Sequence, residues 1–253
     1  MRALDADLVC LQEYTSTPAG AAALFDALRP LRAGRRWQAF NALGNVMLSR
    51  YPLVERSART LRSRVSQRAH AIARIDLPDS IAPVDPVAVC THLQSGGGVA
   101  NAGFRQRHSE TILRDVEKQL RRSGVAVPLI VMGDLNAVDG TVPHLLSRSP
   151  DISFVPALAD ARPLHNAVGP ERYTWRDDAQ RYAPGVLDYI LFSESAFTVR
   201  NAFVLNTASL EDTALLAFGL RRADSLRDAR RGLHDHLPIV VDLEAVGALL
   251  RTP

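Results

Sequence analysis

Eight short apolar runs, four to nine residues each, are strung along the chain with polar or helical stretches between them: LVCL (8–11), NVML (45–48), HAIARI (70–75), PVAVC (86–90), PLIVM (128–132), VLDYILF (186–192), FTVRNAFVL (197–205) and PIVVDL (238–243). Runs of this length are strand-sized, and several alternate as a strand with one buried face does. The chain is therefore read as a layered, β-rich protein with few helices. The clearest helix runs from about Phe104 to Arg122, with Ile112, Leu113, Val116 and Leu120 on one stripe, Glu110–Arg114 and Glu117–Arg121 as i,i+4 pairs, and Gly124 as a stop. Thr17 as N-cap and Pro18 at the first helical position open a second helix through AGAAALFDAL.

With 253 residues, 47% apolar and 23% charged, and neither a linker nor a repeat at a fixed period, the chain reads as one domain over residues 1–253. No stretch approaches the ~18 apolar residues of a membrane span, and MRALDADLVCLQE lacks the pattern of a secretory signal, so a soluble, cytoplasmic monomer with no transmembrane segment and no obligate protein partner is expected. Cys10 and Cys90 sit inside apolar runs and read as buried thiols, which excludes a disulfide framework. A net charge of +3 weakly favours an anionic partner. Of the 30 basic residues only Lys118 is lysine, and the arginines are scattered, so most read as solvated faces.

The informative pattern is where acids and histidines fall. Glu13 comes two residues after LVCL, His92 two after VAVC and Asp134 two after LIVM, so three strands each deliver an ionisable group just past their ends. For one such residue a merely polar loop suffices as explanation; for three, joined by Asp188 inside an apolar strand and by Asp235-His236 before PIVVDL, a shared site explains more. Asp134 and Asn136 in GDLN would leave an extended segment on the same face, and the preceding glycine allows a tight exit. A carboxylate beside an amide suits an anionic substrate oxygen, the one orienting or deprotonating water, the other donating to the anion. Asp188 needs a partner to offset its burial, and a histidine is a natural one.

Other chemistries fare badly. The chain has no G-x-S-x-G elbow, no G-x-x-x-x-G-K-[ST] phosphate loop and no CxxC pair; Gly96-Gly97-Gly98 reads as a flexible loop. His234 and His236 could hold zinc, but without a third histidine in a motif zinc ranks below magnesium.

Taken in order, DADLVCLQE, GNVMLSRYPL, VAVCTHL, PLIVMGDLNA, TWRDDAQRYAPGVLDYILFS and HDHLPIVVDL resemble the endonuclease/exonuclease/phosphatase superfamily over nearly the whole chain. The resemblance implies an α/β (α+β) fold, a four-layer αββα sandwich of two mixed β-sheets with the active site where strand ends from both sheets meet. It implies a Mg²⁺- (or Mn²⁺-) dependent hydrolase of phosphoester bonds working by in-line attack of water. Glu13 resembles the metal carboxylate and Asp235 a further acid near the metal. Asp134 resembles the residue that positions or activates water, Asn136 a phosphate-binding amide, and His236 the catalytic histidine at the phosphate, oriented by Asp188. His92 resembles a second histidine that helps protonate the leaving oxygen.

Two departures from the family pattern stand out. Family members place an Asn or Asp ligand on a strand upstream of the LQE glutamate, and here only twelve residues precede Glu13, so that strand and ligand are expected to be absent through a late-assigned start or a shortened chain. His234 stands where a small residue is usual. The substrate is read as a nucleic acid, lipid or small-molecule phosphoester, with a lipid or inositol phosphate phosphatase, or a non-catalytic phosphate- or nucleic-acid-binding module on the same fold, as alternatives. The segment Ser209–Gly232 is expected to form a helical flap, with Leu215, Leu216, Phe218 and Leu220 as cover and Arg221, Arg222, Arg227, Arg230 and Arg231 steering anions.

Overall fold

The computed structural model describes residues 4–32, 34–62, 67–123, 127–138, 140, 155–177, 181–225 and 235–246. In chain order the elements are β1 (Leu8–Leu11), α1 (Pro18–Leu28), β2 (Gln38–Ala42), β3 (Asn45–Ser49), β4 (Leu53–Arg62), β5 (Gln67–Ile75), β6 (Val87–His92), α2 (Val99–Ser123), β7 (Leu129–Asp134), β8 (Leu158–Asp160), β9 (Leu164–His165), β10 (Asp188–Ser193), β11 (Phe197–Val204), α3 (Asp212–Phe218) and β12 (Ile239–Ala245). All eight apolar runs contribute strands. Thr17 caps α1 as expected, its hydroxyl accepting from the Gly20 N–H at 3.0 Å. Helix α2 begins at Val99 rather than near Phe104, because the stretch VANAG carries no apolar periodicity to announce it.

A six-stranded mixed sheet runs β4-β5-β6-β7-β10-β8, with β6 and β7 its parallel pair. Period-two alternation gives its central strands two working faces. Val87 and Val89 of β6 and Leu129 and Val131 of β7 pack against Ile112, Leu113, Val116 and Leu120 of α2. The intervening Ala88, Cys90, Ile130 and Met132 turn the other way, onto Met47 of β3 and Leu8 and Cys10 of β1. The far side of β1 and β3 is covered by Ala21 and Phe25 of α1. Helix, sheet, sheet, helix is the expected four-layer sandwich. Ile112, Val116, Leu129 and Val131 are fully buried, and each such side chain stabilises the fold by about 1.5–3 kcal/mol.

One expectation is corrected. Cys10 and Cys90 are not thiols: a disulfide joins β1 to β6 across the two sheets, with Cα atoms 5.5 Å apart. Both residues face the inter-sheet core on strands stacked over one another, a juxtaposition that local sequence does not reveal. Within the expected sandwich, the second layer is built of two three-stranded sheets, β1-β3-β2 and β12-β11-β9. β1 lies over β6 and β7, β12 lies over β10, and among the described residues no strand joins these two outer strands.

Candidate active site

His92, Asp134 and Asp188 stand in one row across three neighbouring strands: His92 on β6 is in register with Asp134 on β7, which is in register with Asp188 on β10. Each belongs to the inward-facing series of its strand, in step with Cys90, Met132 and Ile190, so all three emerge between the layers at the same edge of the sandwich. All three are buried. Gly133 makes the row possible: with φ at 143°, an added Cβ would stand 1.8 Å from the Thr91 carbonyl oxygen, so only glycine fits between β7 and β6.

His236 closes the row from the neighbouring sheet. Its Nδ1 is 2.8 Å from Asp188 Oδ2 and its Nε2 3.9 Å from Asp134 Oδ2. His92 Nε2 approaches the same Asp134 oxygen at 3.3 Å. Asn136 reaches Asp134 differently from the sequence reading. Its φ of 46° curls the segment instead of leaving it extended, so that its backbone N–H donates to Asp134 Oδ1 and its Nδ2 to Asp134 Oδ2, both at 2.8 Å. Nδ2 also donates to the Leu93 carbonyl at 3.2 Å. In this arrangement the amide orients Asp134 first.

Two residues that sequence reasoning left without a role hold the row together. The buried Thr174 hydroxyl accepts from the backbone N–H groups of Leu187 and Asp188, each at 3.0 Å, and its carbonyl accepts from the Leu237 N–H. Trp175 exchanges backbone hydrogen bonds with Gly185, and its indole Nε1 donates to Asp235 Oδ2 at 3.0 Å. The TWR segment thus binds the LDY and DHLP segments to each other. Its presence in the sequence just ahead of LDY was the only signal available.

Electrostatics separate the roles. Burial, with the charge of Asp188 and a smaller contribution from Glu13, pushes Asp134 up to about 7 against the pull of His236 and the Asn136 N–H. Burial disfavours a charged His236, but the hydrogen bond and charge of Asp188, with Asp134 and Asp235, override it and raise the imidazole to about 9. Burial, with smaller contributions from Arg68 and His236, holds His92 down to about 3, which leaves a neutral imidazole beside Asp134.

Asp134, Asp188 and His236 offer ligand atoms within 4.8 Å of one another. Both nitrogens of His236 face carboxylates, Nδ1 towards Asp188 and Nε2 towards Asp134, an arrangement that can hold a proton between them or take up a cation. Glu13 stands apart from it, exposed at a left-handed turn with φ 55° after β1, and among the described residues no cation pairs with it. Four carboxylates, Glu13, Asp134, Asp188 and Asp235, with one imidazolium leave the edge with excess negative charge, and the oxygen donors suit a hard divalent cation.

His234 lies outside the described residues, as does the flap beyond Ser225 with Arg227, Arg230 and Arg231. The described part is helical, as expected, with α3 and a short 3₁₀ turn at Arg222–Ser225. Leu215 is buried, but Leu216 and Phe218 are 82% and 60% exposed, so they turn to solvent instead of covering the site. Arg221 pairs with Asp224 and Arg222 with Asp212, which offsets their charge locally.

No curated protein sequence matches this chain. Its fold is similar to that of the human nocturnin catalytic domain with bound sulfate (21% identity over 95% of this chain and 81% of that one, TM-score 0.58). It is also similar to a Bacteroides thetaiotaomicron mannosyl-6-phosphatase (16% identity, 94% and 85% covered, TM-score 0.62). A third likeness is to truncated Caenorhabditis elegans TDP2 (17% identity, 92% and 82% covered, TM-score 0.57). The model of the Endonuclease/Exonuclease/phosphatase family matches residues 1–210, from before Glu13 through Asp188. The chain belongs to the endonuclease/exonuclease/phosphatase family, whose members are hydrolytic phosphoesterases.

Proposed function

We propose that this chain hydrolyses a phosphoester bond by in-line attack of water, with Mg²⁺ or Mn²⁺ as its cation. The observation that carries the reading is the chain of contacts Asp188–His236–Asp134, two buried carboxylates joined by a half-buried imidazole, at the edge where the two layers meet. It sets an imidazolium beside a carboxylate whose proton affinity lies near neutrality.

Asp134, fixed by Asn136 and His92, takes a proton from the attacking water as the water oxygen bonds to phosphorus and the bond to the leaving oxygen breaks on the opposite side. The leaving oxygen takes its proton from solvent water, and Asp134 returns to solvent the proton it took. His236, held by Asp188, donates Nε2–H to the phosphate oxygens as their charge grows, while the Asn136 amide, its donors taken up by Asp134 and Leu93, serves to hold Asp134. Glu13 and Asp235 would hold the cation, the latter steadied by the Trp175 indole. When bound, it neutralises charge on the phosphate and the leaving oxygen.

The test is turnover of plasmid DNA, an abasic oligonucleotide, bis(p-nitrophenyl) phosphate, p-nitrophenyl phosphate and sphingomyelin, side by side, with Mg²⁺, Mn²⁺ or a chelator. Cation-dependent cleavage in any arm supports the reading and names the ester class. No cleavage in every arm favours the non-catalytic binding module.

A further inference from the structure

Arg68 stands one residue beyond the catalytic row. Its neighbour Ala69 on β5 is in register with His92, and so with Asp134 and Asp188. The guanidinium is half-buried and is held by neutral oxygens alone: Nε donates to the Leu93 carbonyl at 3.1 Å and Nη2 to the Ser95 hydroxyl at 3.3 Å. Among the described residues no carboxylate lies within ion-pair distance of it. Arg50, Arg74 and Arg172, which are likewise partly buried, are all paired with acids. A partly desolvated arginine without a counterion is costly to keep unless an anion visits it.

Its tethers aim it at the site. The Leu93 carbonyl that accepts from Arg68 also accepts from Asn136 Nδ2. Its charge is felt at His92, whose proton affinity it lowers. The loop that follows its Ser95 tether is open, since Cβ atoms built on Gly97 or Gly98 would meet nothing within 4 Å. Buried Arg105 pins that loop, donating to the Gln94 and Gly96 carbonyls at 3.0 and 2.8 Å. The shared carbonyl brings Arg68 Nε within two hydrogen-bond lengths of Asn136 Nδ2, and among the described residues Arg68 makes no hydrogen bond to His92, Asp134, Asp188 or His236, so the guanidinium stands beside the row and not in it. Held there, the guanidinium is placed to meet an anionic group next to a scissile phosphate at Asp134 and His236.

We propose that Arg68 forms a second anion subsite on the His92 side of the catalytic row, and that the substrate carries a further phosphate there, next along from the scissile one. This rests on the phosphoesterase reading above. The shared chemistry is a second phosphate, whether in a nucleic-acid strand or in a small bisphosphorylated molecule.

The experiment compares two chromogenic diesters that differ by one phosphate, thymidine 5′-(p-nitrophenyl phosphate) with and without a 3′-phosphate, plus a short single-stranded oligonucleotide. Wild type, Arg68→Gln and Arg68→Lys are assayed, with thermal melts to confirm folding. The expected result is a KM for the 3′-phosphorylated diester raised by about tenfold or more in Arg68→Gln, against a much smaller change for the diester without it, and partial rescue in Arg68→Lys. A matching KM effect on the oligonucleotide identifies a strand as the source; an effect confined to the small diester identifies a bisphosphorylated metabolite. Equal losses on both diesters, or no change on either, overturn the proposal. Should the wild-type protein cleave nothing, the phosphoesterase reading fails separately, and calorimetry with inorganic pyrophosphate decides the subsite: weaker binding in Arg68→Gln supports it, and equal or absent binding overturns it.

Discussion

Thr174 shows how much of the site depends on a residue that performs no chemistry. Its hydroxyl serves two buried backbone donors at the start of β10, so Thr174→Val, nearly the same shape, leaves the Leu187 and Asp188 N–H groups without a partner. The expected cost is about 1–3 kcal/mol in urea unfolding, with a fall in kcat because Asp188 loses its anchor. Substitutions in the chemistry itself should separate the two quantities. Asp134→Ala, Asn136→Ala and His236→Ala are each expected to lower kcat by ~10² or more with melting temperatures little changed, measured on whichever ester the wild type cleaves. A His236→Ala protein at near-full rate would remove that residue from the mechanism. The acids and histidines were legible in the sequence because charges at the ends of apolar runs stand out. Thr174, Trp175 and Arg68 were not: a threonine, a tryptophan and one arginine among many carry no signal until the fold brings their partners to them.

At the scale of elements, the long alternating strands were readable, and β2, β4, β8 and β9 were not. β4 is an exposed outer strand whose sequence, LVERSARTLR, gains little from burial, and β8 and β9 are only three and two residues long. The disulfide between β1 and β6 was misread for the related reason that cross-sheet contact is non-local. It joins residues 80 apart in sequence, so Cys10→Ala/Cys90→Ala is expected to lower stability by about 2–5 kcal/mol, and reduced wild type should unfold at the same denaturant concentration as the variant. Such bonds persist in oxidising compartments and are rare in a reducing cytosol, which weighs against the cytoplasmic expectation.

The packing of α2 onto β5 makes a second prediction at this scale. His108 on the helix is fully buried and lies 3.2 Å from His70, which in turn contacts Asp115, the partner of Arg59. Burial, together with His70, Arg68 and His92, holds His108 down to about 3, and burial lowers His70 as well. In the unfolded chain each takes a proton near pH ~6.5. Below that the unfolded state binds protons that the folded state refuses, so the stabilisation present at neutral pH is lost progressively as pH falls from about 6.5 towards 3. Urea unfolding between pH 7 and 4 should show this decline, and His108→Gln should flatten it. A variant with an unchanged slope would assign the decline to other groups.

The whole molecule is positive, at +3, yet the edge where its layers meet gathers Asp134, Asp188 and Asp235 around one imidazolium, with Glu13 near enough to act on Asp134. That opposition is a property of the assembled sandwich: the four acids come from the ends of four different strands or their flanking loops, and composition alone gave the wrong sign for the site. Carboxylates massed in this way repel one another until a cation joins them, so a cation that binds the folded state should stabilise it. Adding Mg²⁺ or Mn²⁺ to chelator-treated protein is therefore expected to raise the melting temperature and restore turnover, while Zn²⁺ fails to restore turnover because the donors are oxygens. Glu13→Gln and Asp235→Asn should each shrink the Mg²⁺-dependent rise. Trp175→Phe, which removes only the indole donor to Asp235, should shift the Mg²⁺ concentration needed for half the effect upward without abolishing it. If Mg²⁺ raised the melting temperature of Glu13→Gln/Asp235→Asn as much as that of wild type, the cation would have to be assigned to Asp134, Asp188 and His236 instead. Proton transfer and cation binding would then compete for the same three side chains.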